Sequence, residues 1–375
     1  MPLSPEVRAH LLLNLVPGLG PKLTRALLER FGSAPAVLEA RAAELMTIPR
    51  LGQRLAEQLH QAFRTAPIAE EEAQIEERQI RLLIRDQDGY PARLAQIDDP
   101  PPLLYCWGEL LPQDDRCIAV VGSRQCSAYG RKLTERFTRE LVQAGFTIVS
   151  GLARGIDGIA HRAALEAGGR TVAVLAGGLA RLYPPEHKDL AAEVVKHGAL
   201  LTEIPMGVAP LAEMFPRRNR IVSGMSLGVL VVEAARKSGA LITARHASEQ
   251  GRDVFTVPGP VDMDTSGGTN DLIKKGAIPV TGVEDILALY QQASAVTPVS
   301  SRASPANPSA VPPKPAPNLS GTQQRVWELL GNGIMQRDEI VQSLGVSAPE
   351  LASALMLLEL AGHVRQLPGG RYERK

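Results

Sequence analysis

From Ile118 to Gly259 the chain alternates five short apolar runs with stretches of helical periodicity, and this alternation limits the possible folds more than any other feature. The runs are IAVVG (Ile118 to Gly122), TIVSG (Thr147 to Gly151), TVAVLAGG (Thr171 to Gly178), LGVLVVEA (Leu227 to Ala234) and DVFTVPG (Asp253 to Gly259). They are apolar nearly throughout rather than at every second position, which is the pattern of parallel strands covered on both faces. Helices fit between them. Ser127 is placed to cap a helix that presents Leu133, Phe137 and Leu141 on one face before Gly145 ends it, and the helix from Ile156 to Ala167 stops at Gly168. The expected architecture is a doubly wound α/β sheet.

Such sheets bind ligands at the carboxyl ends of their strands. Here the first two loops on that edge share a composition: Gly122, Ser123 and Arg124 follow the first strand, and Gly151, Arg154, Gly155 and Asp157 fall in the turn after the second. Amides at a helix start, the positive end of the helix dipole and an adjacent guanidinium together hold a phosphate. Two such loops side by side suit two phosphates. A third element is FPRRNR, where Arg217, Arg218 and Arg220 cluster beside Phe215 and Asn219 just before an apolar strand, so that Phe215 offers a face for a base. Ser238, Gly239 and Thr243 in SGALITA open another helix, and GGTNDLIKKGA adds a further turn of the same kind.

Twenty basic and seventeen acidic residues lie between Ile118 and Tyr290, so any basic patch there must be one-sided to matter. The whole chain has a net charge of +1 and only 4% aromatic residues, which leaves phosphates to supply most of the grip on a polynucleotide. Neither G-x-G-x-x-G nor a G-x-x-x-x-G-K-[ST] loop is present, which disfavours a dehydrogenase and a P-loop nucleotide hydrolase. His161, His187 and His246 lack the spacing of metal ligands, and neither a metal nor a cofactor is expected. No nucleophile has a base brought to it by the sequence. Asp157 and Glu233 are the carboxylates in loops near the edge, and orienting the arginines is the role favoured over catalysis.

The flanks differ from this middle. VPGLGPKLTRALLERFG (Val16 to Gly32) is echoed by IPRLGQRLAEQL (Ile48 to Leu59), a repeated turn and amphipathic helix. Gly18 and Gly20 suit a helix-hairpin-helix phosphate contact, but Met1 to Asp86 carries eleven basic and eleven acidic residues, and a helical bundle with turn glycines is the preferred account. Residues 293–320 are Pro, Ala and Ser with two charges, a linker composition. The boundaries read as 1–85 for the helical front, 86–292 for the body, 293–320 for the linker and 321–375 for a winged helix. The last helix of that tail carries Glu350 and Glu359 and no Lys or Arg, which favours a protein contact, or a weak contact through Arg365, Arg371 and Arg374, over docking in a groove. Cys106, Cys117 and Cys126 form no C-x-x-C pair, and no segment reads as a signal peptide or a membrane span, so a cytoplasmic protein is expected.

VVGSR, SGLARGIDGIAHRAAL, YPPEH, FPRRNRIVSGMS, EAARKSGALITARHA, VPG and GGTNDLIKKGA, in this order, resemble the DNA-processing protein A family (DprA, also Smf). The resemblance implies an extended Rossmann-like fold that binds and protects single-stranded DNA and loads RecA recombinase onto it in natural transformation. It implies a mediator rather than an enzyme, and a homodimer formed through the body. The family's first phosphate loop falls on Gly122, Ser123 and Arg124, its second on Gly151, Arg154, Gly155 and Asp157, and its basic stretch on Phe215 to Arg220. His187 stands where the family often has Asn, which leaves the polar contact from that loop open. The rival account is a phosphoribohydrolase acting on nucleoside monophosphates, for which Glu233 follows a matching strand although PGGxGTxxE is absent.

Overall fold

The structure, a computed structural model, describes residues 3–49, 51–290, 321–330, 335–361, 363–367 and 371–374. The expected linker at 293–320 and the tail's turn at 368–370 lie outside them. The chain divides into two compact units, Met1–Pro298 and Val299–Lys375.

The first unit opens with helices α1 (Pro5–Leu15), α2 (Pro21–Phe31), α3 (Ala34–Glu39), α4 (Ala42–Leu45), α5 (Gln53–Thr65) and α6 (Ile68–Glu77). Leu13, Leu27, Val37, Leu45 and Leu59 form the common core of α1 to α5, whereas Ile75 of α6 packs with Leu11 and Tyr105. Gly18 takes φ 83° in the turn between α1 and α2, a conformation that glycine adopts without strain.

The body follows as β1 (Arg81–Ile84), α7 (Ala92–Ala95), β2 (Leu103–Gly108), β3 (Cys117–Val121), α8 (Ala128–Gln143), β4 (Thr147–Ser150), α9 (Ile156–Glu166) and β5 (Thr171–Val174). It continues through α10 (Lys188–His197), β6 (Gly198–Thr202), α11 (Met214–Met225), β7 (Gly228–Val231), α12 (Ala240–Glu249), β8 (Asp253–Thr256), α13 (Gly267–Lys274), β9 (Ile278–Pro279) and α14 (Glu284–Tyr290). The sheet order is β1-β2-β6-β5-β4-β3-β7-β8-β9. From β6 to β9 every neighbouring pair is parallel, while β1 and β2 add an antiparallel margin through β6.

This is the doubly wound arrangement expected, with five of its strands on the predicted runs. The chain winds outward from β3 to β6, then crosses back through α11 to β7 on the other side of β3. That reversal opens a crevice at the carboxyl ends of β3 and β7. Side chains alternate between the two faces: Ile118 and Val120 pack with Phe137 and Leu141 of α8, and Ala119 and Val121 with Ile221 and Val222 of α11.

Two buried polar groups bear on stability. The Glu71 carboxylate on α6 accepts from the Tyr105 hydroxyl and the Met206 amide, both at 2.8 Å, and so ties the helical front to the loop after β6. Glu71→Leu strands both buried donors and is expected to destabilise the protein by about 2–4 kcal/mol, measured by urea unfolding. On α9, the Nδ1–H of His161 donates to the Thr171 hydroxyl at 2.7 Å, because that hydroxyl's own proton goes to the Ile148 carbonyl at 2.9 Å. Burial pushes the His161 pKa from 6.5 down to about 3. Below the unfolded value only the unfolded chain takes up this proton, so stability is lost as the pH falls from 6.5 towards 3. Melting temperatures across that range will fall less steeply for His161→Gln than for wild type.

The second unit contains α15 (Thr322–Leu329), β10 (Met335–Gln336), α16 (Arg337–Leu344), α17 (Ala348–Leu360), β11 (Val364–Leu367) and β12 (Arg371–Arg374). The three strands pair antiparallel in the order β10-β12-β11, and Val326, Ile340, Leu351, Leu355 and Tyr372 fill the core. Three helices and a small antiparallel sheet make a winged helix. Ser347 caps α17 by accepting from the Glu350 amide.

Candidate nucleic-acid interface

A cavity of about 940 Å³ spans the crevice between β3 and β7. Its walls bring together Gly122, Ser123 and Arg124 from the first loop, Gly151, Arg154 and Asp157 from the second, Phe215, Arg218 and Asn219 from α11, and Ser238, Gly239 and Thr243 at the start of α12. Gly155 lies behind this wall. At φ 72° it has no room for a Cβ, which would run into the Ser123 carbonyl, and the Ile156 amide donates to that carbonyl at 3.1 Å. The two loops are therefore joined through their backbones.

Arg217 and Arg220 are not in the cavity. FPRRNR and the IVSGM that follows belong to one helix, α11, whereas the expectation placed the arginines just before a strand. Helical spacing puts residues 215, 218, 219 and 222 on the cavity side and turns 217 and 220 away. Arg220 is buried against Glu203 at 2.5 Å and Asp99 at 3.3 Å, and Arg217 pairs with Glu203 at 3.3 Å. Arg220 is thus a buried, paired cation of the fold, while Arg217 stays about half exposed outside the cavity.

The Arg218 side chain forms part of the floor. One Nη1 donates to the carbonyls of Gly151, at 2.7 Å, and Val174. Burial lowers its pKa to about 10 while neighbouring Asp157 opposes the fall, so Arg218 stays charged at neutral pH. Burial raises the Asp157 pKa, against the pull of Arg218 and of the Ala153 and Gly151 amides. The Asp157 carboxylate accepts from the Gly151 amide at 3.1 Å and the Ala153 amide at 3.4 Å. It thereby organises the second loop and occupies two of the amides that a phosphate was expected to meet.

Glu233 does not orient an arginine, contrary to the expectation. Its carboxylate accepts from the Ser127 amide at 3.0 Å and from the Ser127 hydroxyl, at the start of α8 and outside the cavity wall. Ser127 in turn caps α8 by accepting from the Gly130 amide at 3.0 Å.

The outer rim pairs cations with aromatic rings. Arg124 lies over Phe215 at 4.9 Å from the ring centre and Arg154 near Tyr183 at 5.9 Å, and the two rings meet edge to face at 5.9 Å. Tyr183 and Lys237 both line the cavity and were not singled out from the sequence, although YPPEH and EAARKSG contain them. His187, where the sequence left the polar contact open, is buried, and its Nδ1–H donates to the Leu152 carbonyl at 2.9 Å.

Comparison with known proteins agrees with this arrangement. Residues 81–291, more than half of the chain, match the DNA recombination-mediator protein A family. The chain belongs to that family. Residues 310–370 match the DprA winged helix domain and residues 10–65 a SAM-like helix-hairpin-helix tandem, so the hairpin pattern read from the glycines is present in the front domain. Among DprA and Smf relatives, Protein Smf of Escherichia coli is 44% identical over 291 residues, covering 77% of this chain and 76% of its own length. The DNA processing protein DprA of Bacillus subtilis is 42% identical over 239 residues, 64% of this chain and 75% of that protein. The X-ray structure of DprA from Streptococcus pneumoniae superposes with a TM-score of 0.67 at 34% identity, covering 77% of this chain and 98% of that one. A DprA structure from Helicobacter pylori, described for its single-stranded DNA binding mode, gives a TM-score of 0.52 at 29% identity, covering 57% and 97%.

Among the described residues no helix is long and apolar enough to cross a membrane.

Proposed function

We propose that this protein binds single-stranded DNA without regard to sequence, protects it, and passes it to RecA recombinase during natural transformation and recombination. The observation that carries this reading is the pairing of Arg124 with Phe215 and of Arg154 with Tyr183 on one cavity rim, since a cation serves a phosphate and a neighbouring ring serves a base. The Helicobacter relative, described as a single-stranded DNA binder, supports it. The rival hydrolase reading loses its best carboxylate, because Glu233 is engaged by Ser127 outside the cavity.

On this reading the mediator is not an enzyme and works as a cytoplasmic homodimer through its body, and the functional divisions are 1–85, 86–292, 293–320 and 321–375. In the winged helix, α17 exposes Met356 and Leu357, and Glu350 about two turns earlier, a surface better suited to a protein than to a DNA backbone.

The test compares a labelled oligothymidine with its duplex across a salt series. Tight binding that prefers the single strand and falls by about 0.7 log unit per phosphate contact for each log unit of salt is expected. Phe215→Ala should weaken it by about 1–3 kcal/mol per base lost from the stack. Equal affinity for duplex, or no salt dependence, would overturn the proposal. Recombinase loading is tested separately, by RecA filament growth on DNA precoated with a single-strand binding protein, with and without this protein.

A further inference from the structure

The two loop arginines are in different states. Arg124 is exposed, and among the described residues no carboxylate lies within ion-pairing distance of it. Arg154 forms a close ion pair with Glu186 through its Nε. The pair is accessible, with the Arg154 side chain 53% and the Glu186 side chain 48% exposed. A carboxylate presents a guanidinium with the same charge sign and oxygen geometry as a phosphate. Glu186 therefore occupies the position on Arg154 that a backbone phosphate would take.

Glu186 is also held there. It lies in the short turn Pro185–His187, and the next residue, His187, is buried and bonded to the Leu152 carbonyl of the same loop that carries Arg154. Tyr183, just before this turn, has its ring 5.9 Å from the Arg154 guanidinium. The segment from Tyr183 to His187 thus grips the second loop at both ends and carries a carboxylate to its cation.

We propose that Glu186 is an intramolecular phosphate mimic that gates Arg154, so that the strand first meets the open Arg124 and gains Arg154 only by displacing Glu186. This rests on the single-strand reading above. An exposed ion pair contributes only about 0–1 kcal/mol, so the mimic tunes affinity without blocking binding. It also sets a threshold: a lone phosphate gains little at the second loop, whereas a polymer already held at Arg124 supplies its next phosphate at high local concentration.

Salt gives the proposal a signature, because screening weakens the exposed pair with which the phosphate competes. Anisotropy titrations of a labelled oligothymidine of about twelve nucleotides should show Glu186→Gln binding about two- to fivefold tighter than wild type at low salt, with the gain shrinking as salt rises. In an Arg154→Ala background the same substitution should leave affinity unchanged, and melting temperatures should confirm that the variants are folded. Unchanged or weaker binding by Glu186→Gln, or a gain that persists without Arg154, would overturn the gate. If wild type binds in a salt-steep manner and Arg124→Ala weakens it, either result sinks the gate alone. If wild type shows no single-strand preference, the underlying reading fails and the gate falls with it.

Discussion

Arg124→Ala is expected to lower affinity for single-stranded DNA by about tenfold to a hundredfold and to reduce the salt slope by about 0.7. The side chain stands on the loop after β3, at the crevice where the strand order reverses, and it is exposed. A charge-assisted bond from a guanidinium to a phosphate is worth about 1.5–3 kcal/mol, and here no carboxylate must first be displaced. The ring of Phe215 beneath it limits the directions the side chain can take, so less freedom is lost on binding. Because Arg124 makes no buried polar contact, the variant should melt with wild type. Arg124→Lys should recover the slope but only part of the affinity, since an ammonium keeps the charge and loses the fork. Titration at three or more salt concentrations separates these effects, and wild-type affinity in Arg124→Ala would remove the first loop from the site.

The second large effect is on folding. Arg218→Leu should destabilise the body by about 3–5 kcal/mol, because it leaves the buried Asp157 carboxylate without its counter-charge. The Gly151 and Val174 carbonyls lose their donor at the same time. A melting temperature lower by about 10 °C is the expected readout. Adding Asp157→Asn should restore part of the loss, since the stranded charge is then gone, and the shortfall from additivity measures the coupling between the two residues. A variant that melts within about 0.5 kcal/mol of wild type would show that Arg218 is not the cation that compensates Asp157.

Much of this was legible in the sequence, and the limits have physical causes. The uniformly apolar runs at Ile118, Thr147, Thr171, Leu227 and Asp253 fall on β3, β4, β5, β7 and β8, because strands covered on both faces must be apolar on both. The strands β1, β2, β6 and β9 passed unseen. RLLI lies at the sheet edge and is buried at only two of its four residues, GALLT runs on directly from α10 with no turn between them, and the two residues of β9 carry no pattern at all. The loops after β3 and β4 stood out because two neighbouring turns share glycine and arginine, and both line the cavity. Arg217 and Arg220 do not join the other site residues on the cavity wall, because a dense basic run need not form one patch. Once FPRRNR is known to be helical, its arginines must point in different directions, and Glu203 and Asp99, distant in sequence, decide which ones leave the cavity. The roles of Glu233 and Asp157 depend on partners that no local pattern reveals.

The backbone joint between the two loops has a further consequence. Ser123 accepts from the Ile156 amide, and Gly155 leaves no gap between the segments. Their separation is then inherited from adjacent parallel strands, β3 and β4, about 4.8 Å apart and fixed by the sheet's own hydrogen bonds. If the loops hold a strand as proposed, they act as a caliper of set opening, and a caliper gauges the repeat of a polymer and is blind to the lettering along it.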